Sequence, residues 1–155
     1  MISQLGNDAF GDIIVETIEQ LGVGTQYIKR TNKANTALAF VSLQDDGQRD
    51  FSFYRKPSAD MLYQPENIDD IQIFQDDILN FCSVDLIESD MKNDHEKMIE
   101  KFESVGGTIV FDPNVRLPLW EDKLECQRTK KAYIPKAHIK KKYKEKIIII
   151  NLKKN

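Results

Sequence analysis

The chain has 155 residues, 41% hydrophobic and 30% charged, with 7 Gly, 5 Pro, 2 Cys and a formal net charge of -3. These proportions suit one domain with a hydrophobic core and exclude a collagen-like, disulfide-framework or intrinsically disordered chain, and no apolar run approaches the roughly 20 residues of a membrane span. The small net charge conceals a division, because residues 1–128 carry 12 Lys and Arg against 24 Asp and Glu, whereas residues 129–155 carry 10 Lys against the single acid Glu145.

From Asn7 the residues Phe10, Ile13, Ile14, Thr17, Ile18 and Leu21 recur at helical spacing and predict a helix with one buried face. Asn7 or Asp8 can cap it, and Gly22 can take the left-handed stop. A short extended piece around Tyr27-Ile28-Lys29 follows. Residues 36–43 are β-branched and apolar, Asp45-Asp46-Gly47 is a hairpin turn signal, and the return arm at 49–55 places Arg49, Phe51, Phe53 and Arg55 on one face. Beyond Pro57 the chain reads as acidic loop to Asp77. A buried strand is expected at 78–83, then a helix whose face carries Met91, His95, Met98, Ile99, Phe102 and Val105 and which Gly106-Gly107 ends. Thr108-Ile109-Val110-Phe111 is a continuous apolar run, as in a parallel strand covered on both faces. Residues 121–134 predict a helix, and Ala137-His138-Ile139 can start another strand. From Lys140 the pattern loses amphipathic order, and the apolar run at 147–150 stands between lysines.

Strand, helix, strand and then polar residues at a strand's carboxyl end is where open α/β sheets place ligands. Asp112, Asn114 and Arg116 therefore form the most informative cluster: Pro113 restrains the turn, and an acceptor, an amide and a guanidinium suit sugar hydroxyls or a phosphate. A loop ion pair between Asp112 and Arg116 is the competing reading. Arg55 is open in the same way, as a pocket residue beside Phe53 or as the solvated end of the arm. His95 lacks the second histidine of a zinc-protease helix, His138 has no metal-like companions, and no glycine pattern builds a phosphate loop. Cys82 and Cys126 stand apart and read as small buried thiols. The opening residues 1–6 have no signal-peptide character, so a cytoplasmic protein is expected.

Three segments in this order carry a resemblance: Gly6-Asn7-Asp8-Ala9-Phe10-Gly11, the ribbon ending Phe51-Ser52-Phe53-Tyr54-Arg55 after Asp46-Gly47, and Asp112-Pro113-Asn114-Val115-Arg116 with Leu119-Trp120. Together they resemble the ribokinase-like, PfkB-type carbohydrate kinase family, most closely its bacterial fructokinases. The resemblance implies an α/β fold, a partial ribokinase-like three-layer sandwich with a mostly parallel sheet and a small β-strand lid. It implies that residues 1–139 form a partial sugar-kinase domain and that residues 140–155 are a Lys-rich divergent tail. Strands at about 36–43 and 49–55 would close over the sugar and help form a homodimer. By motif position, Phe53 and Arg55 match lid residues that contact substrate in related sugar-acid kinases, and Asn114 and Arg116 match the sugar-contacting part of D-x-N-x-R. In the intact family ATP and Mg²⁺ serve as donor and metal; fructose is the favoured acceptor, giving fructose 6-phosphate and ADP, with ribose, a sugar acid or a nucleoside left open.

The family also has an opening stretch with a Gly-Gly…Asn sugar motif. Farther on it has an N-x-x-E-like motif and a G-A-G-D motif, whose helix N-terminus holds phosphoryl oxygens and whose Asp is the general base. None of these occurs in the 155 residues. The expectation is thus a truncated middle portion of a kinase, with no catalytic, nucleotide-binding or metal-binding residue of its own and inactive alone. A non-catalytic sugar-binding or dimerisation module is the alternative. The tail, rich in Lys, Ile, Asn and Tyr, fits an out-of-frame reading of AT-rich DNA better than a nucleic-acid or membrane patch, since it has no Arg and Tyr143 is its only aromatic beyond Lys140.

Overall fold

Helical periodicity, Asp caps and left-handed glycines place most elements where the sequence predicts them, in a computed structural model that describes residues 1–45 and 47–140. The chain divides into two compact units, Met1–Gln64 and Pro65–Asn155.

The first unit opens with β1 (Ile2–Gly6), α1 (Ala9–Gln20) and β2 (Tyr27–Thr31), and β1 and β2 pair in parallel with Ile2 opposite Tyr27 and Gly6 opposite Thr31. The short segment Ile2-Ser3-Gln4-Leu5-Gly6 shows too little alternation to announce β1; its parallel partner defines it. Asp8 caps α1 by accepting from the Gly11 amide at 2.8 Å, and Gly22 sits at φ +71° just past the helix end. The expected buried face of α1 is instead open, with Phe10 52%, Ile13 58% and Leu21 74% exposed and Gly11 the one buried residue of the helix. Spacing decides which side chains share a face, and a two-stranded sheet offers too little surface to cover this one.

Further along, β3 (Leu38–Leu43) and β4 (Arg49–Tyr54) form an antiparallel arm with Leu38 opposite Tyr54 and Leu43 opposite Arg49, slightly shorter than the predicted strands. Its turn closes through Gly47 N–H to the Gln44 carbonyl at 2.9 Å and Gln44 N–H to the Gln48 carbonyl at 2.8 Å. Gly47 takes φ +81°, the left-handed conformation that the Asp-Gly signal anticipates; Asp46 lies outside the described residues.

The stretch expected as loop after Pro57 contains a 3₁₀ turn at Ala59–Leu62 in the first unit and a short helix α2 (Glu66–Asp69) in the second. No periodicity marks α2, because a distant helix stabilises it. Lys101 donates through Nζ to the carbonyls of Ile68, Asp69 and Ile71 at 2.9, 3.0 and 2.9 Å, and Lys97 donates to the Pro65 carbonyl at 2.9 Å and pairs with Asp69 at 2.7 Å.

The second unit is built on a sheet in the order β5 (Ile78–Cys82), β6 (Thr108–Asp112), β7 (Ile139–Lys140), with both pairings parallel. Helix α3 (Asp90–Val105) connects β5 to β6 and ends at Gly106, φ +73°; α4 (Lys123–Tyr133) connects β6 to β7 and begins at the Asp122 cap. Ile109 and Phe111 are fully buried, the Phe81 and Phe111 rings lie 5.1 Å apart, and Met98, Ile99 and Phe102 of α3 are buried as well. The expectation of burial on both faces holds only in part: Thr108, Val110 and Asp112 are half-buried, and Ile78 of the supposed buried strand is 66% exposed. β6 is central but its neighbour β7 pairs with it only at Val110 and Phe111, and β5, which carries Ile78, is an edge strand with no partner on its other side among the described residues. The His138 ring serves the backbone, its Nδ1 accepting from Ile109 N–H at 3.0 Å, while the His138 backbone N–H donates to the Ile109 carbonyl at 2.9 Å. Both cysteines are free; Cys126 is buried and Cys82 half-buried. Among the described residues no helix is long and apolar enough to cross a membrane. Of the Lys-rich tail, Lys140 ends β7, and the expectations for residues 141–155 lie outside the described residues.

Candidate functional site

The sequence-predicted site residues fall two and two into the separate units. In the first, alternation on β4 puts the Phe53 ring against Phe51, stacked at 5.9 Å with planes 7° apart, on the face opposite Tyr54. Arg55 follows the last rung of the arm. Its side chain is only 10% exposed, with Nε 2.8 Å from Asp60 Oδ2 and Nη2 bonded to the same oxygen. The reading of Arg55 as a solvated strand end is therefore corrected: the return of the chain at 58–60 places a carboxylate against it. Ser58 Oγ donates to the other Asp60 oxygen, so Asp60 is itself held.

In the second unit the carboxyl ends of β5 and β6 open onto a cleft of about 270 Å³ lined by Asn80, Phe81, Cys82, Asp85, Val110 and Asp112. Strand direction explains the location, because parallel strands deliver their loops to one edge. Pro113 is buried, and the Asn114 amide folds back onto the Asp112 carbonyl at 2.7 Å, while Ser83 Oγ donates to the Asn114 carbonyl at 2.7 Å. That last bond ties the two strand-end loops together. Arg116 is half-buried and donates through Nη1 to the Val115 carbonyl at 3.2 Å; its own carbonyl accepts from Leu119 N–H at 2.9 Å. The structure thus seats Asn114 and Arg116 in one loop leaving β6.

Sequence reasoning missed Asp85. Its Oδ2 accepts from the Cys82 amide at 2.8 Å and lies 3.9 Å from His95 Nε2, while His95 Nδ1 meets the Met91 carbonyl at 2.8 Å. Cys-Ser-Val-Asp, with an acid three residues after a strand end, was the available signal. Burial, with Asp85 adding to it, pushes the Cys82 thiol up to about 12, so it stays protonated and offers no nucleophile. A cleft with two carboxylates and a neutral thiol repels phosphates and accepts hydroxyl donors. It does not fit the triphosphate of ATP, and among the described residues no group of three His, Cys, Asp or Glu could hold a metal ion.

A parallel βαβ framework with a polar cleft at its strand ends, and an antiparallel two-stranded arm in the other unit, define an α/β protein of the ribokinase-like kind. Residues 1–142 match the model of the pfkB family carbohydrate kinases, and the chain belongs to that family. It is 36% identical over 149 residues to the probable fructokinase-4 of Arabidopsis thaliana, covering 96% of this chain and 46% of that protein. Its fold is similar to the apo crystal structure of fructokinase from Vibrio cholerae O395, with TM-score 0.85 and 29% identity over 97% of this chain and 51% of that one. The same enzyme with fructose, ADP and a calcium ion bound gives TM-score 0.81 and 29% identity, covering 90% of this chain and 44% of that one. The chain spans about half the length of the curated relatives it matches.

Proposed function

We propose that this chain carries sugar-facing residues of an ATP-dependent fructokinase acting in the cytoplasm, D-fructose and ATP giving fructose 6-phosphate and ADP. The observation that carries the reading is the Asp112-Pro113-Asn114-Val115-Arg116 loop, which leaves the carboxyl end of β6 at a cleft lined by Asp85 and Asp112. Carboxylates accept from sugar hydroxyls, the Asn114 amide both donates and accepts, and the Arg116 guanidinium offers paired N–H donors in a fixed plane. Phe53 supplies an apolar ring of the kind that covers a sugar face and excludes water, and Asp60 holds Arg55 in one orientation. The kinase portion is residues 1–139, close to where the family match ends at residue 142, and residues 140–155 are assigned to the divergent tail.

In the same reading the 155 residues do not turn over by themselves. Phosphoryl transfer requires a base for the incoming hydroxyl and positioned donors for the γ-phosphate, and among the described residues no lysine or arginine lines the strand-end cleft. ATP and Mg²⁺ are thus assigned to the family reaction and not to residues of this chain. The arm supports a second role, in a homodimer: Phe40, Val41, Leu43 and Tyr54 are each more than half exposed on it.

Titration calorimetry of the purified chain with fructose, ribose and a sugar acid tests the site, and heat with fructose alone is expected. No heat with any of them would remove the sugar reading. A coupled kinase assay with fructose and ATP is expected at background, and turnover above it would refute the inactive-alone reading. Sedimentation velocity across a concentration series tests the dimer.

A further inference from the structure

We propose that Asp8 is a positioning residue for the β3–β4 arm, its carboxylate pinning the leg by which the arm leaves the β1–α1 corner. The consequence for ligand contact rests on the reading of Phe53 and Arg55 given above; the pin itself does not.

The two oxygens of Asp8 have different partners. Oδ1 accepts from Gly11 N–H at 2.8 Å and caps α1, whereas Oδ2 accepts from the amide of Thr36, 28 residues later, at 2.7 Å. Thr36 is 3% exposed and answers through Oγ1, which accepts from Gly6 N–H at 3.0 Å. Glycine makes this approach possible: a Cβ on Gly6 would lie 2.2 Å from Asp8 Oδ2 and 2.7 Å from Thr36 N, and one on Gly11 would lie 2.5 Å from the Gly6 carbonyl oxygen. The Gly6-Asn7-Asp8-Ala9-Phe10-Gly11 segment therefore reads as a joint, in which Gly6 clears space for the Asp8 carboxylate and the Thr36 amide and Gly11 clears space for the Gly6 carbonyl and Thr36 Oγ1.

The returning leg is tied at the same place. Ala59 N–H donates to the Asn35 carbonyl at 2.8 Å, and the Ala59 carbonyl accepts from Gln4 Nε2 at 2.8 Å. Both legs are thus bonded to each other and to β1 or its corner. Beyond the legs, Phe40, Val41, Leu43 and Tyr54 are mostly exposed and the ladder between the two strands holds the arm. Phe53 pairs with Ala39 in the second rung above the legs, so the root decides where Phe53 and Arg55 stand. The Thr36 and Gly11 amides hold the Asp8 carboxyl below the usual carboxylate range, which keeps it an anion with two acceptors.

Asparagine separates the two duties of Asp8. It caps helices as well as aspartate does, but its single carbonyl oxygen can serve only one of the two amides and its NH₂ would face the other donor. In the 155-residue chain carrying Asp8→Asn, amide hydrogen exchange should speed up about tenfold or more at Thr36 and through the arm, while amides of α1 stay within about twofold of wild type. Asp8→Ser, also a good cap but too short to reach Thr36, should show the same arm-specific loss. Unchanged exchange in the arm, or equal loss throughout the first unit in both variants, would overturn the proposal. Fructose calorimetry on the same samples keeps the two readings apart: an absence of heat in wild type counts against the sugar site alone, and the exchange pattern still judges Asp8. Where wild type does take up fructose, Asp8→Asn should bind it about tenfold more weakly; equal affinity would overturn the positioning role.

Discussion

Asp94 of α3 is an aspartate 3% exposed, and neither of its oxygens has a hydrogen-bond partner among the described residues. Burial foremost, then the neighbouring charges of Asp90 and Glu66, push its carboxyl up to about 7 from an ordinary 3.8, with Lys97 opposing. A group raised in the folded state favours folding while it is protonated. Its contribution is therefore complete below the unfolded value of 3.8 and is lost as pH rises through about 7. Ionising it inside the fold costs about 4 kcal/mol at alkaline pH, a penalty that Asp94→Asn, nearly the same shape and never charged, removes. Urea unfolding of both chains, followed by circular dichroism from about pH 4 to about pH 9, should give nearly equal stabilities at the acid end. At the alkaline end the variant should lead by up to about 4 kcal/mol, the lead building between about pH 3.8 and about pH 7 and levelling off above. Comparing the two chains cancels the titration of every other acid. A difference that stays flat with pH, or a variant less stable at alkaline pH, would refute the reasoning.

Lys101→Met keeps the aliphatic length of the side chain but leaves the carbonyls of Ile68, Asp69 and Ile71 without their ammonium donor. It should cost about 2 kcal/mol in urea unfolding and raise exchange first around α2. Gly106→Ala has room for its methyl, the nearest atom being Gln75 Nε2 at 3.9 Å, so its effect isolates the left-handed backbone at φ +73°; about 1 kcal/mol of lost stability is expected by thermal melting. Arg116→Lys replaces a planar fork by a point charge in the loop after β6. Fructose affinity measured by calorimetry should fall about tenfold with little change in melting temperature.

Elements with a strong local signal were legible without coordinates. Helix α3 runs from Asp90 to Val105 because Met91, Met98, Ile99 and Phe102 recur on one face and Gly106 stops it, and all of that lies within one stretch of sequence. The β3–β4 arm was legible for the same reason, through alternation and an Asp-Gly turn. Asp94 was not, although it stands three residues after Met91 and four before Met98, on the buried stripe itself; a pattern of apolar residues passes over a polar one in their midst. Lys130 is a second instance, 1% exposed on α4 between buried Cys126 and Tyr133. At the candidate site Asn114 and Arg116 were visible as a motif, whereas Asp85 emerged only when β5 and β6 brought their loops to one edge.

The sequence by itself determined the family, the strand and helix alternation of the second unit, the arm and its turn, and the division between an acidic body and a basic end. Each of these depends on residues near one another in the chain or on a spacing they keep. Tertiary structure decided what that information cannot contain. It left the apolar stripe of α1 open, since coverage depends on a partner and not on periodicity. It closed Arg55 onto Asp60, and it joined Asp8 to Thr36, because a charge finds its partner in space across whatever length of chain separates them.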